Sequence, residues 1–188
     1  MKEKDVKILA VVGMSGSGKS VVVDYLTGKG FPKVYFGGMI LKEMERRGIT
    51  RTAESEKEFR EKIREEEGKD WVVRQVIQET NNLINAGQKR IVLDGVYSWK
   101  EYKILQHEYP GELTFLAVVL PKKLRYKRVG MREVRPFNIE EITERDRTEI
   151  ENIEKGGPIA AADYYVLNNG TVGELHEKVE EVLREIEF

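Results

Sequence analysis

Gly13-Met14-Ser15-Gly16-Ser17-Gly18-Lys19-Ser20 fits the pattern G-x-x-x-x-G-K-[ST] without a mismatch. The run ahead of it, Val6-Lys7-Ile8-Leu9-Ala10-Val11-Val12, is short, apolar and rich in β-branched residues, as a strand buried on both faces requires. Behind it, Val21 to Thr27 continues without Gly or Pro, as a helix should. A strand-to-helix turn is the context that separates a phosphate-binding loop from a chance match. Glycines let successive backbone N–H groups turn inward with no Cβ in the way, and the helix adds unpaired N–H groups and a positive dipole end. Lys19 is expected to reach the β- and γ-phosphates of a nucleoside triphosphate, and the Ser20 hydroxyl to ligate Mg²⁺. Gly13, Ser15, Gly16, Ser17, Gly18, Lys19 and Ser20 are thus the candidate ATP-binding residues. The alternative is a Gly/Ser turn that holds no ligand.

The rest of the composition narrows the class. A chain of 188 residues has room for one α/β domain and little else, so residues 1–188 are read as a single domain. Acidic and basic residues nearly cancel, 33 against 32, which gives no general attraction to nucleic acid or to an anionic membrane. Any basic site must be local. The absence of cysteine excludes disulfides, thiol catalysis and cysteine metal sites. No apolar segment is long enough to span a bilayer, and the charged start Met1-Lys2-Glu3-Lys4-Asp5 is no signal peptide, so a cytoplasmic protein is expected. The 35% of charged residues would suit a thermophile.

Strand and helix patterns alternate along the chain. Phe31 to Phe36 reads as a second strand followed by a Gly37-Gly38 turn, and Met39 to Arg47 as a helix. Thr52 to Glu67 and Asp70 to Ala86 follow as helices, then Arg90-Ile91-Val92-Leu93-Asp94 as a strand ending in a carboxylate. Ser98 can cap a helix to about Glu108, and Leu113 to Leu120 is a central strand. Basic Lys122 to Gly130 is helical, Ile139 to Glu154 forms another helix closed by Gly156-Gly157-Pro158, Tyr164 to Leu167 is the last strand, and Thr171 to Ile186 an amphipathic helix. The pattern predicts a three-layer α/β fold, a parallel five-stranded sheet with helices on both faces. Ligands of such sheets sit at the carboxyl ends of the strands, where the loops after Val12, Phe36, Asp94 and Leu120 converge.

Asp94, followed by Gly95, suits a carboxylate aimed at the phosphate loop, holding Mg²⁺ directly or through water opposite Ser20; a plain turn Asp is the alternative. Arg125, Lys127, Arg128, Arg132, Arg135, Arg145 and Arg147 crowd a Gly/Pro-containing stretch between two helices, as a mobile lid over phosphates would. For most of them a solvated face paired with Glu140, Glu141, Glu144 and Glu149 serves as well; Arg128, Arg132 and Arg145 are the candidates, with the lid spanning about 128–139. Arg64 and the Arg46-Arg47 pair could hold a phosphorylated acceptor, or simply line a solvated face. Tyr97, Ser98 and Trp99 could wall an acceptor base, or pack in the core. His107 and His176 read as exposed and are assigned nothing.

The phosphate loop, the Asp94-Gly95 step, the arginine segment and the stretch Ala162-Asp163-Tyr164-Tyr165-Val166-Leu167-Asn168-Asn169-Gly170-Thr171 followed by Leu175 resemble the small P-loop kinases. The likeness runs from Ile8 to about Ile186 and is greatest to dephospho-CoA kinases and to an archaeal family of adenylate-kinase-related proteins. That archaeal group also carries runs like Arg64 to Gly68 and Arg145-Asp146. The resemblance implies that Arg128 and Arg132 contact the transferring phosphates and that Asn168 to Thr171, Asn168 and Gly170 included, flank the adenine. It also implies departures on the acceptor side. Gly38 stands where both groups place an Asp, which dephospho-CoA kinases use as the base; Leu41 and Lys42 stand near an expected Arg, and Tyr97 replaces another.

The expectation is an ATP- and Mg²⁺-dependent phosphotransferase acting on a small-molecule acceptor of nucleotide type, with Lys19, Asp94, Arg128 and Arg132 as catalytic residues, Ser20 and Asp94 at the metal, and Arg64, Tyr97 and Arg145 toward the acceptor. Loss of the Asp at position 38 favours a nucleoside monophosphate over a hydroxyl acceptor. A nucleotide-binding switch or slow NTPase with a protein partner is the alternative, and a nucleic-acid kinase is disfavoured by the net charge. The residues leave the oligomeric state open.

Overall fold

Successive residues of the first strand point to opposite sides of the sheet, and each side has its own core. Ile8, Ala10 and Val12 join Phe36, Met44, Ile63, Val76 and Leu105 on one face, while Leu9 and Val11 join Val22, Leu26, Leu175, Val179 and Leu183 on the other. A strand buried on both faces has no polar alternation to show, which is why its sequence reads as an unbroken apolar run. In the computed structural model, which describes residues 5–133 and 136–188, the strands are β1 (Lys7–Val12), β2 (Lys33–Tyr35), β3 (Arg90–Asp94), β4 (Leu113–Val119) and β5 (Tyr164–Leu167). All neighbours are parallel, in the order β2-β3-β1-β4-β5.

The first core face is covered by α2 (Phe36–Arg46), α3 (Ala53–Glu67), α4 (Trp71–Asn85) and α5 (Trp99–Glu108), and the second by α1 (Lys19–Gly28) and α9 (Val172–Glu185). Three further helices, α6 (Lys122–Gly130), α7 (Ile139–Glu151) and the short α8 (Gly156–Ala160), lie between β4 and β5 in sequence. The register places the site. Val11 is level with Asp94 on one side and with Leu116 on the other, and Tyr35 is level with Asp94. The last residues of β2 and β3 therefore emerge beside the turn that leaves β1, and the chain crosses from one side of β1 to the other between β3 and β4, the crevice where such sheets bind ligands.

The structure corrects several boundaries. Phe36 opens α2 rather than closing β2, and Gly37 and Gly38, expected in a turn, lie in the first turn of that helix. The Tyr35 ring covers both, and a Cβ on either would press against it. α7 stops at Glu151, and Gly156-Gly157-Pro158 form α8, where Pro158 sits in the first turn and needs no intrahelical N–H partner. His176 is half-buried, its ring stacked on Tyr25 at 3.9 Å. The expectations that fall on Met1 to Lys4 and on Arg135 lie outside the described residues.

Candidate active site

The loop that opens α1 owes its shape to backbone few side chains permit. Gly16 and Gly18 have φ of 86° and 94°, in the left-handed region. A Cβ on Gly16 would meet Val129, and one on Gly18 would meet the side-chain amide of Asn168. Asn168, just past β5, donates from Nδ2 to the Ser17 carbonyl at 2.8 Å and is itself fixed by its own N–H to the Val119 carbonyl, also 2.8 Å. The end of the sheet thus clamps the loop from behind. The first turn of α1 has no side-chain cap and no acidic residue, so its N–H groups and positive dipole end stay open. The Ser17 hydroxyl is buried with no hydrogen-bond partner among the described residues. Left-handed glycines, an uncapped helix start and an orphaned hydroxyl fit a phosphate group, and Ser20 and Asp94, which line the same cleft, offer the oxygen donors that a hard cation bound with it takes.

The loop forms the floor of a cleft of about 970 Å³. Among the described residues its walls carry six cationic side chains, from Lys19, Lys33, Arg128, Arg132, Arg145 and Lys155, against the two carboxylates of Asp24 and Asp94. In a chain of net charge −1 this is a local excess that favours an anionic ligand. Lys19 Nζ pairs with Asp94, and both side chains are largely shielded from solvent. Among the described residues no group of three or more His, Asp and Glu side chains is arranged to hold a metal.

A second layer comes from α6, α7 and the turn before α8. Arg125 is buried, forks onto both carboxylate oxygens of Asp146 and donates to the Ser15 carbonyl at 2.9 Å, while the Tyr126 hydroxyl donates to Asp146 at 3.0 Å. Burial works against this guanidinium's charge, but Asp146 outweighs it and holds the proton more tightly than usual. Arg128 donates to the carbonyls of Asn168 at 2.8 Å and Gly170 at 3.2 Å. It thereby shapes the loop that follows β5 as well as lining the cleft.

Glu149 reaches from α7 into the phosphate loop, accepting from the Ser15 hydroxyl at 2.7 Å and the Ser15 N–H at 3.3 Å. Arg145 donates from Nε to the same hydroxyl at 2.7 Å and to Glu149 at 3.2 Å, and Lys155 donates to Glu149 at 2.9 Å. Burial raises the Glu149 carboxyl, but Lys155 and Ser15 together bring it below the usual range. Burial depresses Lys155 more than Glu149 restores it. The Lys155 ammonium lies 5.3 Å from the centre of the Tyr97 ring. Burial, and Tyr35 beside it, keep the Tyr97 hydroxyl protonated far above its ordinary range.

The cleft brings together the loop residues Gly13 to Ser20, Asp94, Tyr97, Arg128, Arg132, Arg145, Asn168 and Gly170. Arg64 is not among its lining; it is exposed on α3, and its charge acts on the half-buried Glu101 carboxylate at the start of α5. Arg46 and Arg47 pair with Glu43, and Arg47 also with Glu66, at the surface. Ser98 caps α5 through Glu101, and Trp99 stacks on Tyr102 at 4.7 Å, so Tyr97 alone of that trio reaches the cleft. Lys33, Tyr35, Glu149 and Lys155 escaped the sequence reading. Glu149 and Lys155 sit in a strongly charged stretch whose pattern is that of a solvated face, and only their burial distinguishes them.

An AAA domain model matches residues 12–155. UPF0200 protein TK1334 of Thermococcus kodakarensis is 33% identical over 182 residues, 95% of this chain and 97% of that protein. Among solved structures, TT1252 from Thermus thermophilus superposes with a TM-score of 0.64 at 22% identity, covering 97% of this chain and 98% of that one. Shikimate kinase from Aquifex aeolicus superposes with a TM-score of 0.56 at 17% identity, covering 96% of each chain. The structural likeness shows the fold, a kinase-like P-loop fold, and the sequence matches show the family: this chain carries the AAA domain and belongs to the UPF0200 proteins.

Proposed function

We propose that this protein is an ATP- and Mg²⁺-dependent phosphotransferase whose acceptor is a nucleotide or a nucleotide-like molecule. The observation that carries the reading is the six-to-two excess of cationic side chains, among the described residues, around a phosphate loop that leads into a helix start with no side-chain cap. Bound Mg²⁺ would neutralise phosphate charge, held by Ser20 and by Asp94, which Lys19 would release to face the triphosphate. Lys19, Arg128 and Arg132 would stabilise charge on the phosphates by position alone, since phosphoryl transfer asks little covalent chemistry of the protein. Arg128 would also hold Asn168 to Gly170 against the base. The stretch 128–139 is read as a lid over that site.

The acceptor would enter over the carboxyl ends of β2 and β3, past Lys33, Tyr35, Tyr97 and Arg145. Among the described residues no carboxylate other than Asp24 and Asp94 lines the cleft, and Gly38 lies under the Tyr35 ring. An acceptor that already bears an ionised phosphate needs no strong base, whereas a hydroxyl acceptor benefits from one. The same features favour a second reading, a nucleotide-binding switch or slow NTPase that signals to a protein partner.

The test is ADP release with Mg²⁺-ATP across a panel of nucleoside monophosphates, dephospho-CoA and simple hydroxyl compounds, for wild type and Lys19→Ala. We expect one phosphorylated compound to raise turnover well above background, and Lys19→Ala to lower it by about 100-fold or more. Nucleotide binding with slow turnover that nothing stimulates would replace the kinase reading with the switch.

A further inference from the structure

Glu149 is a carboxylate surrounded as a phosphate would be. Its Oε1 accepts from the Ser15 hydroxyl and from Arg145, and its Oε2 from the Ser15 N–H and from Lys155. A loop amide, a hydroxyl, a guanidinium and an ammonium converging on one anion form the donor set that binds a tetrahedral oxyanion. One of the four is an amide of the phosphate loop itself. A clasp that only closed the end of α7 would need the Glu149–Lys155 pair and no more; here the same carboxylate also reaches a loop more than 130 residues away in sequence.

Lys155 carries the argument further. It is 5% exposed, yet it lines the cleft, with the Tyr97 ring on one side. It is near enough to Lys19 and Arg145 for their charges to weaken its hold on its proton. Cations gathered this closely around one space are stable only with an anion among them. In the structure Asp94 answers Lys19, and Glu149 answers Lys155 and Arg145.

We propose that Glu149 is an internal stand-in for the terminal phosphoryl group of the bound nucleotide, and that Lys155 binds this group once Glu149 yields it. The inference rests on the nucleotide reading above. The nucleotide competes with Glu149 for Ser15, Arg145 and Lys155 through its terminal phosphate, the group that ATP carries and ADP lacks. The exchange gives the protein a means of telling ATP from ADP through residues outside the loop motif.

The experiment measures Mg²⁺-ATP and Mg²⁺-ADP affinity, with thermal unfolding in parallel, for wild type, Lys155→Ala, Glu149→Gln and the double variant Lys155→Gln/Glu149→Gln. Lys155→Ala should lose about tenfold in ATP affinity and stay within about twofold for ADP, the loss of one charge-assisted bond to the terminal phosphate. Glu149→Gln should gain ATP affinity several-fold, with ADP unchanged. Should Lys155→Ala fail to fold with its carboxylate left unpaired, the double variant leaves that pair uncharged and must fall about tenfold in ATP preference below Glu149→Gln. If wild type binds both nucleotides and the ATP-to-ADP ratio is unmoved in every folded variant, the inference is overturned and the nucleotide reading stands. If wild type binds neither nucleotide, both are overturned.

Discussion

The end of the cleft that would hold the triphosphate is built from main chain, and the end assigned to the acceptor from side chains. At the first, Gly16 and Gly18 set the curve, Asn168 donates to the Ser17 carbonyl, and Arg128 donates to the carbonyls of Asn168 and Gly170. At the second, Lys33, Tyr35 and Tyr97 line the cleft near the ends of β2 and β3, with the Tyr35 ring over two glycines. A main-chain cradle recognises what all triphosphates share, and almost any change to it breaks the curve. A side-chain wall changes one residue at a time, which suits the end where a substrate is chosen.

The contrast is broken most severely at Gly18. Gly18→Ala puts a Cβ at φ 94°, costing roughly 1–2 kcal/mol in backbone strain, and drives it against Asn168. ATP affinity should fall by about tenfold or more with a lowered unfolding temperature, as calorimetry can check. Changes at the other end should be milder and selective. Tyr97→Ala removes a wall of the acceptor end while leaving the loop intact, and should raise the acceptor KM by about tenfold with the ATP KM within about twofold. Equal shifts in both would erase the division between the two ends.

The smallest effect sharpens the comparison from outside the cleft. Arg46 first, then Arg47, hold the Glu43 carboxyl down to about 2 against the desolvation that raises it. A carboxyl with a lowered folded pKa adds stability that is full above its unfolded value of 4.5 and is lost as pH falls toward about 2. Urea unfolding across that range should show a shallower fall for Glu43→Gln than for wild type. An unchanged slope would mean that Arg46 and Arg47 are not occupied by Glu43 and are open to another anion.

The same contrast explains what could be read from the sequence. β1, the phosphate loop, α1 and the Asp94 strand end were legible because each is fixed by neighbours in the chain: apolar runs, glycines at a turn, a carboxylate before Gly95. The Ser98 cap was local in the same way, and the structure adds Glu101 to it as a capping box. Phe36 and the two glycines after it read as strand and turn because nothing nearby reveals that the Tyr35 ring covers that stretch of α2. Glu149 and Lys155 were illegible for a stronger reason. A Glu that reaches Ser15 from α7 has the spelling of any solvated Glu, and only the fold makes the contact. Arg64 shows the converse, a suggestive residue in a suggestive run that the fold leaves on the outside.

The measurement that bears most directly on the account follows the terminal phosphoryl group itself. ATP labelled in its γ-phosphate is incubated with Mg²⁺, the protein and the mixed nucleoside monophosphates with dephospho-CoA, and the labelled products are separated. The account predicts label on one phosphorylated acceptor, absent with Lys19→Ala. Label found only in inorganic phosphate, with every acceptor unlabelled, would contradict it.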